Sequence, residues 1–132
     1  MTAPSPGAII GVDLGWTTLA SGLVDAAGVV QHSRTVPTDR RGRGERGILD
    51  NLLEMIMGLA EAARTHHLPI LGVGVGVPGV VEVETGTIGE DIQNIPEFRG
   101  VALGRILQEK TGLPVVVDND VNALTLGEWT FG

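Results

Sequence analysis

The chain has 132 residues, 42% of them hydrophobic, no cysteine and a formal net charge of −7, which suits one compact domain with a hydrophobic core. Disulfides and thiolate zinc sites are excluded, and because His32, His66 and His67 make a poor metal set, we expect no metal held by this chain itself. The negative charge disfavours nucleic acid as a partner, and since no apolar stretch reaches the roughly 18 residues of a membrane span, we expect a cytoplasmic protein without membrane contact.

The first third of the chain alternates strand-like segments with turns. Residues 8–15, 18–25 and 29–36 are rich in apolar and β-branched side chains, and glycine and aspartate separate the segments. This pattern predicts an antiparallel meander of three strands.

A helix and a glycine-rich strand follow the meander. After the polar, arginine-rich residues 37–46, a helical spacing of apolar side chains continues as far as His66. The members of this apolar stripe are Ile48, Leu52, Met55, Ile56, Leu59 and Ala63. Residues 69–79 then form an apolar run with glycine at alternate positions, which predicts a central strand whose end lets another group approach closely. Residues 80–88 predict a hairpin-like excursion.

The last third predicts a helix, a buried strand and a second helix. Residues 101–112 have the apolar spacing of a helix, with Gly112 at its expected end. The apolar segment 114–120 ends in carboxylates, and a helical pattern begins again over 121–132. This order of elements predicts an α/β fold, a mixed sheet with helices packed on it.

The turn after the first strand is one candidate site. Asp13, Gly15 and Thr17 follow the pattern D-x-G-x-T, with Thr18 beside them. A glycine-bearing turn can direct backbone N–H groups and a threonine hydroxyl at phosphate oxygens, and an aspartate at a strand end can hold Mg²⁺. The same pattern is frequent in ordinary turns, so by itself it favours phosphate binding only weakly.

The glycine-rich segment formally satisfies G-x-G-x-x-G through Gly74, Gly76 and Gly79. A dinucleotide-binding motif must open a helix, whereas Pro78 and Gly79 precede strand-like residues, so that interpretation fails. Two interpretations stay open: a strand end where missing side chains admit a ligand, and a tight turn.

The third candidate is the cluster Asp118, Asn119 and Asp120 at the end of a β-branched, apolar strand. Open α/β sheets bind ligands at the carboxyl ends of their strands. A carboxylate there can accept the proton of a substrate hydroxyl that attacks a phosphoryl group. Either aspartate could also cap the following helix, although a cap does not require the whole cluster.

Taken together, the segments GVDLG-x-T, GVGVGVPG, NIPEFRG and PVVVDNDVNA resemble the ROK family of sugar kinases and repressors, and they occur in the family's order. The last segment is the most specific. The resemblance implies the actin and hexokinase type of ATPase fold, in which two ribonuclease-H-like lobes close over ATP and sugar. Residues 1–132 are then a single N-terminal lobe, with the C-terminal lobe absent.

By the same resemblance, Asp120 is the catalytic base of a sugar kinase. The residues implied to contact the sugar are Asn94, Asn119, Gly76, Pro78 and Gly79. The residues implied to bind phosphate and ATP are Asp13, Gly15, Thr17 and Thr18. ATP and Mg²⁺ are the implied cofactors, a sugar and a nucleotide the implied partners, and a homodimer the implied assembly.

Two departures from the family pattern keep other functions open. Trp16 stands where the family's kinases usually carry a second glycine, and Thr18 where they carry Lys or Asn. The family's adenosine-binding glycines, further sugar ligands and zinc motif come after the last residue of this chain, which we expect to be an inactive fragment by itself. The leading hypothesis is a glucokinase-like, ATP-dependent hexose kinase. The alternatives are the sugar-sensing domain of a ROK repressor and a pseudoenzyme.

Overall fold

The structure is a computed structural model, and it describes residues 7–15, 18–25, 28–38, 44–77, 81–82, 87–88 and 102–119. The strands in these ranges are β1 (Ala8–Leu14), β2 (Thr18–Asp25), β3 (Val30–Pro37), β4 (Ile70–Val77), β5 (Val81–Glu82), β6 (Thr87–Ile88) and β7 (Val115–Asn119). The helices are α1 (Gly44–Thr65) and α2 (Leu103–Thr111). The predicted final helix over residues 121–132 lies outside the described ranges.

Five strands form one mixed sheet in the order β3-β2-β1-β4-β7. β1, β2 and β3 are antiparallel neighbours, while β4 pairs in parallel with β1 on one side and with β7 on the other. The predicted meander and mixed sheet are confirmed. β5 and β6 form a separate antiparallel pair, which confirms the hairpin-like excursion.

One face of the sheet carries the hydrophobic core. Buried aliphatic side chains line up across β1, β4 and β7 in two rows, Ile10–Val73–Val115 and Val12–Val75–Val117. Both described helices pack on this face. Helix α1 contributes the buried apolar stripe that the sequence predicted, and α2 contributes Leu103 and Leu107. Among the described residues, no helix is long and apolar enough to cross a membrane.

The helix ends agree with the sequence at one position and differ at another. Gly112 follows α2 with a φ of 72°, and its N–H donates to the Gln108 carbonyl at 2.9 Å. This confirms the predicted helix end, since glycine adopts the left-handed conformation without steric cost. Helix α1 begins at Gly44, inside the segment 37–46 that the sequence marked only as polar. Glu45 and Arg46 have high helix propensity, which allows the helix to start there.

Candidate functional site

Four strands of the sheet end at the same edge. β1, β4 and β7 are parallel, and β3 runs in their direction because both β1 and β3 are antiparallel to β2. Three segments that the sequence singled out reach this edge: the turn after β1, the glycine-rich end of β4, and the carboxylate-bearing end of β7. The fold therefore brings together motifs that are far apart in the chain, as ligand sites of open α/β sheets require.

Three of the candidate residues lie in a single row across the sheet. Asp13 of β1 pairs with Gly76 of β4, and Gly76 pairs with Asp118 of β7. The row lies on the face opposite the helices, because the preceding row, which contains Val75, belongs to the core. Both aspartates are half-buried. They are two strand spacings apart, about 10 Å between Cα atoms, and only the backbone of Gly76 lies between them.

The neighbouring row on the same face has glycine on three strands. Gly11 pairs with Gly22 of β2 and with Gly74 of β4. A Cβ atom at Gly22 would lie 2.8 Å from Cγ1 of Val30, so the Val30 side chain covers that glycine. A groove of about 190 Å³ lies over the first three strands, and Asp13 lines it. Glycines at these positions let another group approach the backbone closely. Both interpretations of the glycine-rich segment were local, and neither anticipated glycines on three adjacent strands.

The turn between β1 and β2 is closed by backbone hydrogen bonding. The Gly15 N–H donates to the Thr18 carbonyl at 2.9 Å. A Cβ atom at position 15 would lie 2.9 Å from that same carbonyl oxygen, closer than real side chains approach. The site therefore needs glycine at position 15 because the two chain segments touch there. The exposed Thr18 begins β2 directly after the turn.

A residue that the sequence analysis did not single out is bonded to this turn. Thr38 directly follows β3 at the same edge, and its Oγ1 donates a hydrogen bond to the Gly15 carbonyl at 2.9 Å. The side chain is buried. No local pattern marks Thr38, because its partner lies 23 residues earlier in the chain.

The oxygen donors at this edge suit a hard cation such as Mg²⁺. Asp13 offers a carboxylate at a strand end, and one of its oxygens, Oδ1, is buried. Within the part of the chain that the structure describes, no three His, Cys, Asp or Glu side chains come together. A magnesium ion at Asp13 would take its other ligands from phosphate and water, which is the usual way proteins hold it.

Several predicted site residues lie outside the described ranges. They are Thr17, Pro78, Gly79, Asn94 and Asp120. Trp16, the departure from the family pattern, lies outside them as well. Asn119 is the last residue of β7, and its backbone pairs with Val77 at the edge. Asp120 is covalently next to Asn119, so the strand that carries Asp118 leads directly to the predicted catalytic base.

A larger groove lies away from this row. It has a volume of about 360 Å³ and lies between β3 and α1, where Arg34, Asn51 and Glu54 are among its lining residues. Thr38 lines its end. The groove shares no residue with the row of Asp13, Gly76 and Asp118, and we assign it no ligand.

Comparison with known proteins points to one family. The ROK family model matches residues 9–132. Over 126 residues the chain is 36% identical to a glucokinase of Streptomyces coelicolor. This alignment covers 96% of this chain and 37% of the glucokinase. It is 35% identical, also over 126 residues, to a xylose repressor of Caldicellulosiruptor bescii, covering 96% of this chain and 31% of the repressor.

A solved structure shows the same arrangement of elements. It is a ROK family glucokinase from Streptomyces griseus in complex with glucose and AMPPNP, which is 34% identical and has a TM-score of 0.75. The match covers 96% of this chain and 37% of that one. The chain thus spans about a third of the length of the proteins it resembles.

Proposed function

The chain belongs to the ROK family, and we propose that it is the N-terminal lobe of an ATP-dependent sugar kinase that forms a hexose 6-phosphate. It has the actin-like ATPase fold of the ROK kinases, as the sequence predicted. The observation that carries the proposal is the row of Asp13, Gly76 and Asp118 at the edge where the parallel strands end. The row supports a site with the phosphate-binding turn at one end and, at the other, the strand β7, which Asp120 follows in the sequence.

Asp120 is the proton acceptor in this proposal. As the sugar hydroxyl oxygen attacks the terminal phosphoryl group of ATP, its O–H bond breaks and the proton passes to the Asp120 carboxylate. A new O–P bond forms, and the bond between the phosphoryl group and ADP breaks. Asn119 and the loop of Gly76, Pro78 and Gly79 orient the sugar hydroxyls in this proposal. The extended β7 carries Asn119 to the sheet edge, and Asp120 is the next residue in the sequence. Position, more than an unusual pKa, makes such a base effective.

The nucleotide end of the site is assigned to the turn after β1. Asp13 would hold Mg²⁺, which neutralises charge on the phosphate oxygens when it is bound. Gly15, Thr17 and Thr18 belong to the phosphate-binding turn in this proposal. The separation of about 10 Å between Asp13 and Asp118 leaves room for a phosphoryl group and a sugar hydroxyl between the two ends.

The decisive variant is Asp120→Asn, made in the reading frame that encodes this chain. Removal of a general base lowers kcat by about 10²–10⁴-fold, and we expect a loss in that range for glucose phosphorylation by Mg·ATP. Asp118→Asn is the matched control, because it makes the same chemical change two residues earlier in the sequence, on β7. We expect it to alter kcat less than tenfold. Undiminished turnover in Asp120→Asn would show that Asp120 is not the general base.

A second candidate is the sugar-sensing domain of a repressor. Two observations favour it: the similarity to a xylose repressor over the same 126 residues, and Trp16 in place of the kinases' second glycine. Such a domain binds sugar without phosphorylating it. Saturable sugar binding with no sugar phosphate formed in the presence of Mg·ATP would select this candidate. If neither ligand binds, the pseudoenzyme remains.

The kinase proposal also includes a location, ligands and an assembly for the protein. It implies a cytoplasmic location, where ATP is available, and a sugar and a nucleotide as ligands. Nucleic acid is not a ligand in this proposal, in keeping with the net charge of −7, whereas the repressor candidate would require a DNA-binding domain. A homodimer is the assembly proposed by analogy with the family.

A further inference from the structure

A buried threonine at the end of β3 is bonded to the turn after β1. Thr38 is 7% exposed, and Ser21 is the one other polar side chain that is buried among the described residues. A buried hydroxyl needs a hydrogen-bond partner. Thr38 Oγ1 donates to the Gly15 carbonyl at 2.9 Å, a normal hydrogen-bond length.

This bond makes Gly15 the junction of three strand ends. The Gly15 N–H donates to the Thr18 carbonyl at the start of β2, and the Gly15 carbonyl accepts from Thr38 at the end of β3. Asp13 lies two residues before this junction on β1. With both its N–H and its carbonyl bonded, Gly15 has little freedom to change the direction in which the chain leaves β1.

We propose that Thr38 is a positioning residue for nucleotide binding, an inference that rests on the proposed function. Its hydroxyl contacts the backbone of Gly15 and holds that residue in one conformation before the nucleotide arrives. A site that is ordered in advance binds more tightly, because binding does not have to order it. The sugar end of the site, on β4 and β7, does not depend on this bond.

Thr38→Val tests the inference, because valine has nearly the shape of threonine and lacks the hydroxyl. Loss of one buried hydrogen bond corresponds to about a tenfold change in an opening equilibrium. In the 132-residue chain we expect amide hydrogen exchange at Gly15, followed by NMR, to become about tenfold faster. In the protein expressed from the reading frame that encodes this chain, the dissociation constant for Mg·AMPPNP should rise by about tenfold, and binding of glucose should not change.

Two further variants separate this role from general destabilisation. Thr38→Ser keeps the hydroxyl and should restore both the exchange rate and nucleotide affinity to within about twofold of the original protein. Thr111→Val removes hydroxyl hydrogen bonds elsewhere, since Thr111 Oγ1 donates to the Leu107 carbonyl at 2.6 Å and accepts from the Leu113 N–H at 3.2 Å. We expect it to leave Gly15 exchange and Mg·AMPPNP affinity unchanged.

The two readouts distinguish failure of the inference from failure of the proposed function. Unchanged Gly15 exchange in Thr38→Val, or an equal acceleration in Thr111→Val, would overturn the inference. If the protein expressed from the reading frame that encodes this chain binds no Mg·AMPPNP, the nucleotide site of the proposed function fails instead. Gly15 exchange alone then decides whether Thr38 holds the turn.

Discussion

The two faces of the sheet are built by the same strands and have opposite characters. On the face covered by α1 and α2, the side chains of the row that contains Val75 are buried and apolar. One residue further along each strand, the opposite face carries Asp13, Gly76 and Asp118. Side chains of a strand alternate between faces, so the core and the candidate site differ by a single step along each strand. A rigid core thus directly supports the residues that we assign to ligand binding.

The sharpest test of this difference compares neighbouring residues on β7. Val117→Asn places an amide in the closed core, where Val117 is fully buried. The lost apolar burial and the unpaired polar group should together cost about 3–6 kcal/mol of the free energy of unfolding. Asp118→Asn, one residue later on the other face, should cost about 1 kcal/mol or less. Urea denaturation measures both, and similar losses for the two variants would refute the distinction between the faces.

Shortening single side chains on α1 should change the free energy of unfolding by a smaller amount. Ile56 is fully buried against the sheet, whereas its neighbour Met57 is 50% exposed. Ile56→Ala should lower the free energy of unfolding by about 2–5 kcal/mol through a core cavity. For Met57→Ala we expect a change within about 0.5 kcal/mol, as for an ordinary surface substitution. The thermal midpoints of the two variants supply the measurement, and a larger shift for Met57→Ala would mean that its side of the helix is covered.

Much of the fold could be predicted because each element has a strong local pattern. The apolar stripe of α1 has helical spacing, the glycine after α2 marks its end, and the first three strands are separated by turn residues. The start of α1 could not be placed, since Glu45 and Arg46 suit both a polar loop and a first helical turn.

The sequence allowed us to predict which segments form the candidate site, but not how their residues are arranged relative to one another. The carboxylates after an apolar strand indicated where β7 ends, and the glycines indicated a close approach on β4. That Gly76 lies directly between Asp13 and Asp118 depends on strand register, which a single sequence does not specify. The bond from Thr38 to Gly15 depends on tertiary structure in the same way.

The most direct test of the account is to find which part of the chain responds to ligands. Backbone NMR signals of the protein expressed from the reading frame that encodes this chain would be followed during titration with glucose and then with Mg·AMPPNP. We predict shifts at Gly76, Asp118 and Asn119 with glucose, and at Asp13 and Gly15 with Mg·AMPPNP. The signals of Gly28, in the turn at the opposite edge of the sheet, should stay in place. Shifts confined to that opposite edge, or no saturable shift with either ligand, would contradict the assignment of a sugar and nucleotide site to the edge where the parallel strands end.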